Sequence, residues 1–158
     1  MAILTSEDEQ IKSSFELIFL KEEEKRSVIS WINYKLVLKS ADKELIFESK
    51  ENNKGAEDYV FALKPINEIE NLIDGIKAFL ENKNSDIFSF EPIEPSFEII
   101  LERSHKGYSM NLWVDAGNVI SDHYTWDGFG MRFFTSQEKL DSFVSELNKE
   151  KEGLLLNC

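Results

Sequence analysis

The chain has 158 residues, and its 30 acidic side chains outnumber its 18 basic ones, so its formal net charge is −12. Apolar residues make up 42% and charged residues 30%, which is the composition of a globular domain large enough to fold without a metal or a disulfide. The negative charge argues against nucleic acid and anionic membranes as direct partners, because both attract basic patches.

The chain ends and the single cysteine bear on location and domain organisation. No apolar run approaches the ~20 residues of a membrane span, and the acidic start lacks the basic region of a signal peptide. The only cysteine is Cys158, which excludes a disulfide within one chain. We therefore expect one cytoplasmic domain, 1–158, with a flexible arm over 1–12. The tail at 150–158 either docks on the body, stays flexible or forms a dimer contact.

The first half of the chain alternates apolar and polar residues with the period of a half-buried strand. The predicted strands lie around 15–19, 28–38, 45–48 and 59–63. Four consecutive strands with short connections predict an antiparallel meander. The period then changes to 3.6 residues and predicts a helix over 66–82. Asn67 and Glu70 match the capping box at its start.

The second half repeats this order of strands and a helix. Further strands are predicted around 88–90, 97–102, 108–114, 119–126 and 131–134, with turns at 91–96, 104–107, 115–118 and 127–130. A second helix follows, capped by Thr135 with Glu138 completing the box. Its core-facing residues are Leu140, Phe143, Val144 and Leu147.

This order of elements predicts an α+β fold. We expect a curved antiparallel sheet of about seven to nine strands, arranged as meander, helix, meander, helix, with both helices packed on one face. Trp31 and Trp113 are out of phase with the aliphatic residues of their strands, so they should lie on the face that the helices leave uncovered.

No catalytic motif survives inspection, so we expect a protein that is not an enzyme and has no cofactor. His105 lies in a polar turn, and His123 with Asp115, Asp122 and Asp127 matches no metal-site spacing. Cys158 has no histidine near it in sequence. Gly128 and Gly130 lack the third glycine and the strand–loop–helix frame of a phosphate loop.

One stretch stands out by its charge. From Asn84 to Met131 there are eight acidic and two basic residues, a net charge of 2 − 8 = −6, and no Lys or Arg occurs between Gly107 and Met131. Aromatic residues share this stretch, and aromatics beside carboxylates suit an interface with a basic protein. A solvated acidic surface that only aids solubility explains the charge as well. The predicted partner-binding residues are Glu91, Glu94, Asp115, Asp122, Tyr124, Trp126 and Asp127, with Trp126 as the main hot spot.

Several segments together resemble the WapI-like family of bacterial immunity proteins. They are FELIF (15–19), WINYKLVL (31–38), EPSFEIILER (94–103), WVDAGN (113–118) and YTWDGFGMRFFTS (124–136). The resemblance spans roughly residues 12–150. It implies a small cytosolic partner that protects the producing cell from a secreted toxin, often a nuclease. No functional residue is transferred from the family.

Three functions remain open at this point. The first is a non-enzymatic inhibitor of a basic toxin domain, present as a monomer or weak homodimer. The second is an interaction or regulatory module without a toxin partner. The third is a small ligand-binding or enzymatic domain that uses the region from Asp115 to Asp127.

Overall fold

Nine strands and two helices form the part of the chain that the computed structural model describes, residues 1–20, 32–48, 62–63, 65–93, 96–115 and 128–155. The strands are β1 (Ala2–Thr5), β2 (Ser13–Phe19), β3 (Ile32–Ser40), β4 (Lys43–Glu48), β5 (Ala62–Leu63), β6 (Ile87–Phe90), β7 (Phe97–Ser104), β8 (Gly107–Asp115) and β9 (Gly128–Thr135). A π-helical turn, Pro65–Ile69, leads into α1 (Glu70–Glu81), and α2 (Gln137–Leu155) closes the described chain.

The fold is α+β with antiparallel sheets, as the sequence predicts, but the described strands form two sheets. The first has the order β1-β2-β3-β4 with β5 on β3, and the second has the order β6-β7-β8-β9. The expected single curved sheet of seven to nine strands is therefore not what forms. Alternation assigns each strand an apolar face, but it does not specify that β4 and β6 belong to different sheets.

The apolar faces of the two sheets meet in one core, with Phe97 at the contact. The Phe97 ring lies 6.5 Å from that of Phe15 and 5.6 Å from that of Tyr34, both on the first sheet. The Tyr34 hydroxyl makes a hydrogen bond with the Ser96 hydroxyl. Burial raises the pKa of Tyr34 despite the opposing effect of that hydrogen bond, and the Glu68 charge raises it further. The hydroxyl therefore stays protonated at neutral pH.

Each helix contacts the sheet that it does not follow in the chain. In α1, Phe79 packs on Phe88 and Tyr108 of the second sheet, with ring centroids 6.4 and 5.7 Å apart. In α2, Phe143 packs on Phe15 of the first sheet at 5.9 Å. The helices also contact each other, since the Lys151 ammonium lies 3.0 Å from a Glu70 carboxylate oxygen. The expected placement of both helices on one face of one sheet was wrong.

Both predicted helices exist, but their starts differ from the predicted capping. The N-cap position of α1 is Ile69, which makes no side-chain cap bond, because the π-helical turn replaces the expected capping box of Asn67 and Glu70. Ser136 caps α2, and its Oγ accepts a 3.4 Å bond from the Lys139 amide. Thr135 is in β9 instead, and its hydroxyl donates to the Thr5 carbonyl.

The two chain ends are more structured than the sequence suggested. Ala2–Thr5 is a strand rather than part of an arm, and it pairs with β2. The segment after it is attached to β9, since the Glu7 amide donates to the Phe134 carbonyl at 2.8 Å. At the other end α2 continues through 150 to Leu155, and Leu154 is buried. Residues 156–158 lie outside the described chain.

Arg103 in β7 holds the carboxyl end of α1. Its Nη2 donates to the carbonyls of Phe79 at 2.6 Å and Asn82 at 3.2 Å, and its Nε donates to the Ser85 carbonyl at 2.9 Å. Its guanidinium also lies over the Phe79 ring, 4.8 Å from the centroid. A cation suits this position because helix carbonyls at the C-terminus lack intrahelical partners.

We expect Arg103→Lys to lower the free energy of unfolding by about 2–3 kcal/mol, because one ammonium cannot reproduce the planar fork of donors. Urea unfolding measures the change. Lys83→Ala is the matched control, since Lys83 is exposed at the same end of α1 and should change stability by less than ~0.5 kcal/mol. A loss in Arg103→Lys no larger than in Lys83→Ala would contradict a role for the guanidinium fork.

The outer edge of β1 is covered by α2. The Ile3 amide points away from β2 and donates to Glu146 Oε2 at 2.8 Å, and the amino terminus pairs with Glu150. A carboxylate on an outward amide satisfies a donor that would otherwise be available to another chain.

Glu146→Ala should therefore cost about 1–2 kcal/mol of unfolding free energy, because it leaves the Ile3 amide unsatisfied beside the helix. Glu146→Gln keeps an oxygen acceptor and should cost clearly less. Chemical denaturation of the two variants side by side checks this, and equal losses would contradict a role for the hydrogen bond.

Candidate protein-binding surface

The predicted partner-binding residues fall partly within the described chain. Glu91 is exposed just after β6, and Asp115 is half-buried at the end of β8. The Asp115 amide donates to the Ser96 carbonyl at 3.0 Å, so Asp115 is held at the start of β7. Both carboxylates lie at the same end of the second sheet. The other five predicted residues lie outside the described chain: Glu94, Asp122, Tyr124, Trp126 and Asp127.

Strand register brings a tryptophan and a carboxylate together at this end. Trp113 in β8 pairs with Glu98 in β7 and with Gly130 in β9. Paired side chains on one face lie about 5 Å apart at Cβ. We call the set Glu91, Glu98, Trp113 and Asp115 the Trp113 surface.

Trp113 lies on the face opposite the core, as its phase in the strand predicted. Its neighbours Leu112 and Val114 are buried, whereas Trp113 is 46% exposed. A Cβ added at Gly130 would come within 2.6 Å of the Trp113 ring, so the ring covers that glycine. The predicted turn over 127–130 was wrong for Gly128–Gly130, which belong to β9 and pair with β8. Trp31, predicted on the corresponding face of its own strand, lies outside the described chain.

Two carboxylates of the Trp113 surface, Glu91 and Glu98, are not balanced by cations of the described chain. Neither Glu91 nor Glu98 forms an ion pair with a residue of the described chain. Arg132 is the cation on this face, and its Nε donates to Asn111 Oδ1. The Asn111 amide in turn donates to Glu102 at 3.4 Å. Arg132 is therefore held towards Glu102, which lies two residues further along β7 from the acidic end than Ile100, the partner of Asn111.

The outer face of the first sheet has a different electrostatic character. Lys39 lies 2.7 Å from a Glu16 oxygen and 3.2 Å from a Glu44 oxygen. Hydrogen bonds to Glu16 and then Glu44 raise the pKa of Lys39. Cations and carboxylates are matched on that sheet, so the second sheet has the stronger attraction for a basic partner.

Neither a metal-ligand cluster nor a membrane-spanning helix is present among the described residues. No group of three or more His, Cys, Asp or Glu among them is placed to hold a metal ion, and His123 and two of its neighbouring aspartates lie outside them. Neither helix of the described chain combines the length and apolar composition of a membrane span.

Comparisons with family models and with curated proteins found no match. Among solved structures, the chain is similar to one described as "Structure of the plant transcriptional regulator PBF-2". The TM-score is 0.46 and the identity 12%, over 98% of this chain and 84% of that one. A likeness at this level carries no argument about fold or function. The resemblance to WapI-like immunity proteins stays a prediction.

Sequence reasoning did not place Glu98 in the site, although the signal was present. The predicted turn at 104–107 is a two-residue hairpin connection in which Ser104 pairs with Gly107. Counting back from that pair places Glu98 opposite Trp113. The pairing of Gly130 with Trp113 could not be predicted from a turn in the same way. Twelve residues separate β8 from β9, and a connection of that length does not fix the strand register.

We expect Trp113→Ala to cost only about 1 kcal/mol of unfolding free energy, because the ring covers glycine backbone on an open face rather than filling the core. Phe97→Ala is the comparison and should cost about 3–5 kcal/mol. Thermal and urea unfolding measure both. A loss at Trp113 as large as at Phe97 would identify Trp113 as a core residue and remove it from the surface.

Proposed function

We propose that this chain is a non-enzymatic, immunity-type binding protein that neutralises a basic toxin domain in the cell that produces it. The observation that carries the proposal is the Trp113 surface. A half-exposed tryptophan lies beside Glu98, which has no ion-pair partner among the described residues, on the sheet face opposite the core.

The two components of this surface have different roles in binding. A tryptophan supplies a large apolar area, and tryptophans are over-represented among residues whose loss costs most affinity. Carboxylates around it attract a cationic partner and accelerate association. A toxin that acts on nucleic acid needs a basic site for phosphates, and a ring of carboxylates can occupy such a site in place of the phosphates.

The resemblance in sequence pattern to WapI-like immunity proteins supports the toxin partner. The excess of 12 negative charges supports a basic partner more generally. The interaction module without a toxin remains the alternative, and it would use the same surface.

The decisive experiment is co-expression with a neighbouring gene product. Where the adjacent gene encodes a large secreted protein with a variable C-terminal domain, that domain is expressed alone and together with this chain in a bacterial host. We expect the domain to stop growth and this chain to restore it. A neighbouring metabolic operon, or a toxin that this chain does not neutralise, would contradict the proposal.

Salt should weaken the complex mainly through the association rate, because exposed charges are screened beyond about 8 Å at physiological ionic strength. Glu98→Gln should slow association and reduce its salt dependence. Asp74→Asn is the matched control, since it removes the same charge from an exposed position on α1. Stopped-flow or surface-binding kinetics at low and high salt give the rates, and a salt-independent rate would refute electrostatic steering.

The binding hot spot predicted at Trp126 is tested by a substitution at that residue. Trp126→Ala should leave the melting temperature nearly unchanged and cost ~2 kcal/mol or more of partner affinity. If the variant unfolds and binding follows only the folded fraction, Trp126 is a core residue instead.

A further inference from the structure

The outer edge of β9 has backbone groups that no other strand satisfies near its start. The far end of the strand shows which residues direct their backbone groups away from β8. There the Phe134 carbonyl accepts a hydrogen bond from the Glu7 amide, so this carbonyl points outward. Backbone groups alternate sides along a strand. Gly128, Gly130 and Arg132 therefore also direct their amides and carbonyls outward, and no described residue bonds to them.

Among the described residues, the part of this edge from Gly128 to Met131 lacks the features that usually protect one, and the first charged residue along it is Arg132, which is bonded to Asn111. Edge strands are normally blocked by charges, proline, a bulge or a covering helix. The edge of β1 is covered by α2 through Glu146, and β4 carries Lys43, Glu44 and Glu48. The residues from Gly128 to Met131 carry no charge and no proline. Phe129 among them is 46% exposed.

The two glycines place bare backbone beside acidic and aromatic groups, with ordinary contact distances at Gly128 and the Trp113 ring lying over Gly130. Gly128 pairs with Asp115, and Gly130 pairs with Trp113. A strand added outside β9 would place alternate side chains next to these glycines. Because a glycine has no side chain, a lysine or arginine there could extend across it towards the Asp115 carboxylate or the Trp113 ring. A cation at a tryptophan ring adds further attraction.

We propose that the β9 edge binds an extended strand of the basic partner protein by β-strand addition, with its basic side chains crossing Gly128 and Gly130. This inference rests on the proposed function and specifies how the same surface holds its partner. The negative charge of this chain determines which kind of strand the β9 edge binds. A second copy of this chain has a net charge of −12 and would bring like charges together, whereas a basic strand brings opposite ones.

The probe is a synthetic decapeptide that alternates valine and lysine. Its two controls are the valine–glutamate version and a lysine version N-methylated at every residue, which has no amide left to donate along either edge. Amide hydrogen exchange is followed by NMR with and without each peptide. We expect the lysine peptide to slow exchange at Gly130 and Arg132, whose amides exchange rapidly in the free chain. Met131 and Phe133 are protected throughout, because their amides bond to β8.

A pair of variants separates the backbone from the side chain. Arg132→Pro removes the outward amide, which an edge strand tolerates because that amide is not in the ladder. Arg132→Ala keeps the amide, and both variants lose the bond to Asn111. We expect Arg132→Pro to bind the lysine peptide at least about tenfold more weakly than Arg132→Ala does. Urea unfolding shows whether both variants are folded. If Arg132→Pro is unfolded, the slowing of exchange at Gly130 in Arg132→Ala by the lysine peptide tests the proposal instead.

The other outcomes contradict the edge proposal, the choice of occupant or the proposed function, and each can be told from the rest. Equal binding of the lysine and glutamate peptides, or protection away from β9, refutes the basic strand, and binding of the N-methylated peptide refutes backbone pairing. Protection of Gly130 that grows with protein concentration, together with a dimer in sedimentation, makes a second copy the occupant. If the peptide fails but the chain still neutralises a neighbouring toxin, only the edge proposal falls. If the peptide binds but no toxin is neutralised, only the proposed function falls.

Discussion

The contact between the apolar faces of the two sheets determines the rest of this structure. Phe97 lies at that contact with rings of the first sheet on one side and Phe90 on the other. Buried aromatic area is the largest contribution that single residues make to a core. Both sheets direct their apolar faces towards Phe97, and Trp113, on the opposite face of the second sheet, is 46% exposed.

Each helix of the described chain packs on the sheet that it does not follow in sequence. The helix that follows the first sheet packs on the second through Phe79, and the helix that follows the second packs on the first through Phe143. Arg103 connects the second sheet to the end of α1, and Glu146 connects α2 to the edge of β1. These polar contacts join elements that are distant in sequence.

Edge protection differs across the molecule in a way that bears on function. One outer edge is satisfied by a carboxylate of α2, and the far end of β9 is satisfied by the Glu7 amide. The start of β9 has outward backbone groups that no described residue satisfies and two glycines beside the Trp113 surface, whereas Phe129 lies on the opposite face with its ring 6.3 Å from that of Phe47. An open edge next to an acidic, aromatic face combines backbone pairing with charge selection, which is how strand addition obtains affinity and specificity.

The sequence by itself determined the type and approximate position of most elements and the face on which their residues lie. Period 2 placed Leu112 and Val114 in the core and Trp113 outside it, and period 3.6 placed Phe143 and Leu147 against the core, because these patterns depend only on neighbouring residues. The tight turn after Ser104 also fixes the strand register that pairs Glu98 with Trp113. Only the tertiary structure decided that the strands divide into two sheets, that each helix crosses to the other sheet, and that Gly128 and Gly130 extend β9 beside Trp113. These features depend on contacts between residues far apart in the chain, and a local pattern carries no information about which of several apolar faces will meet.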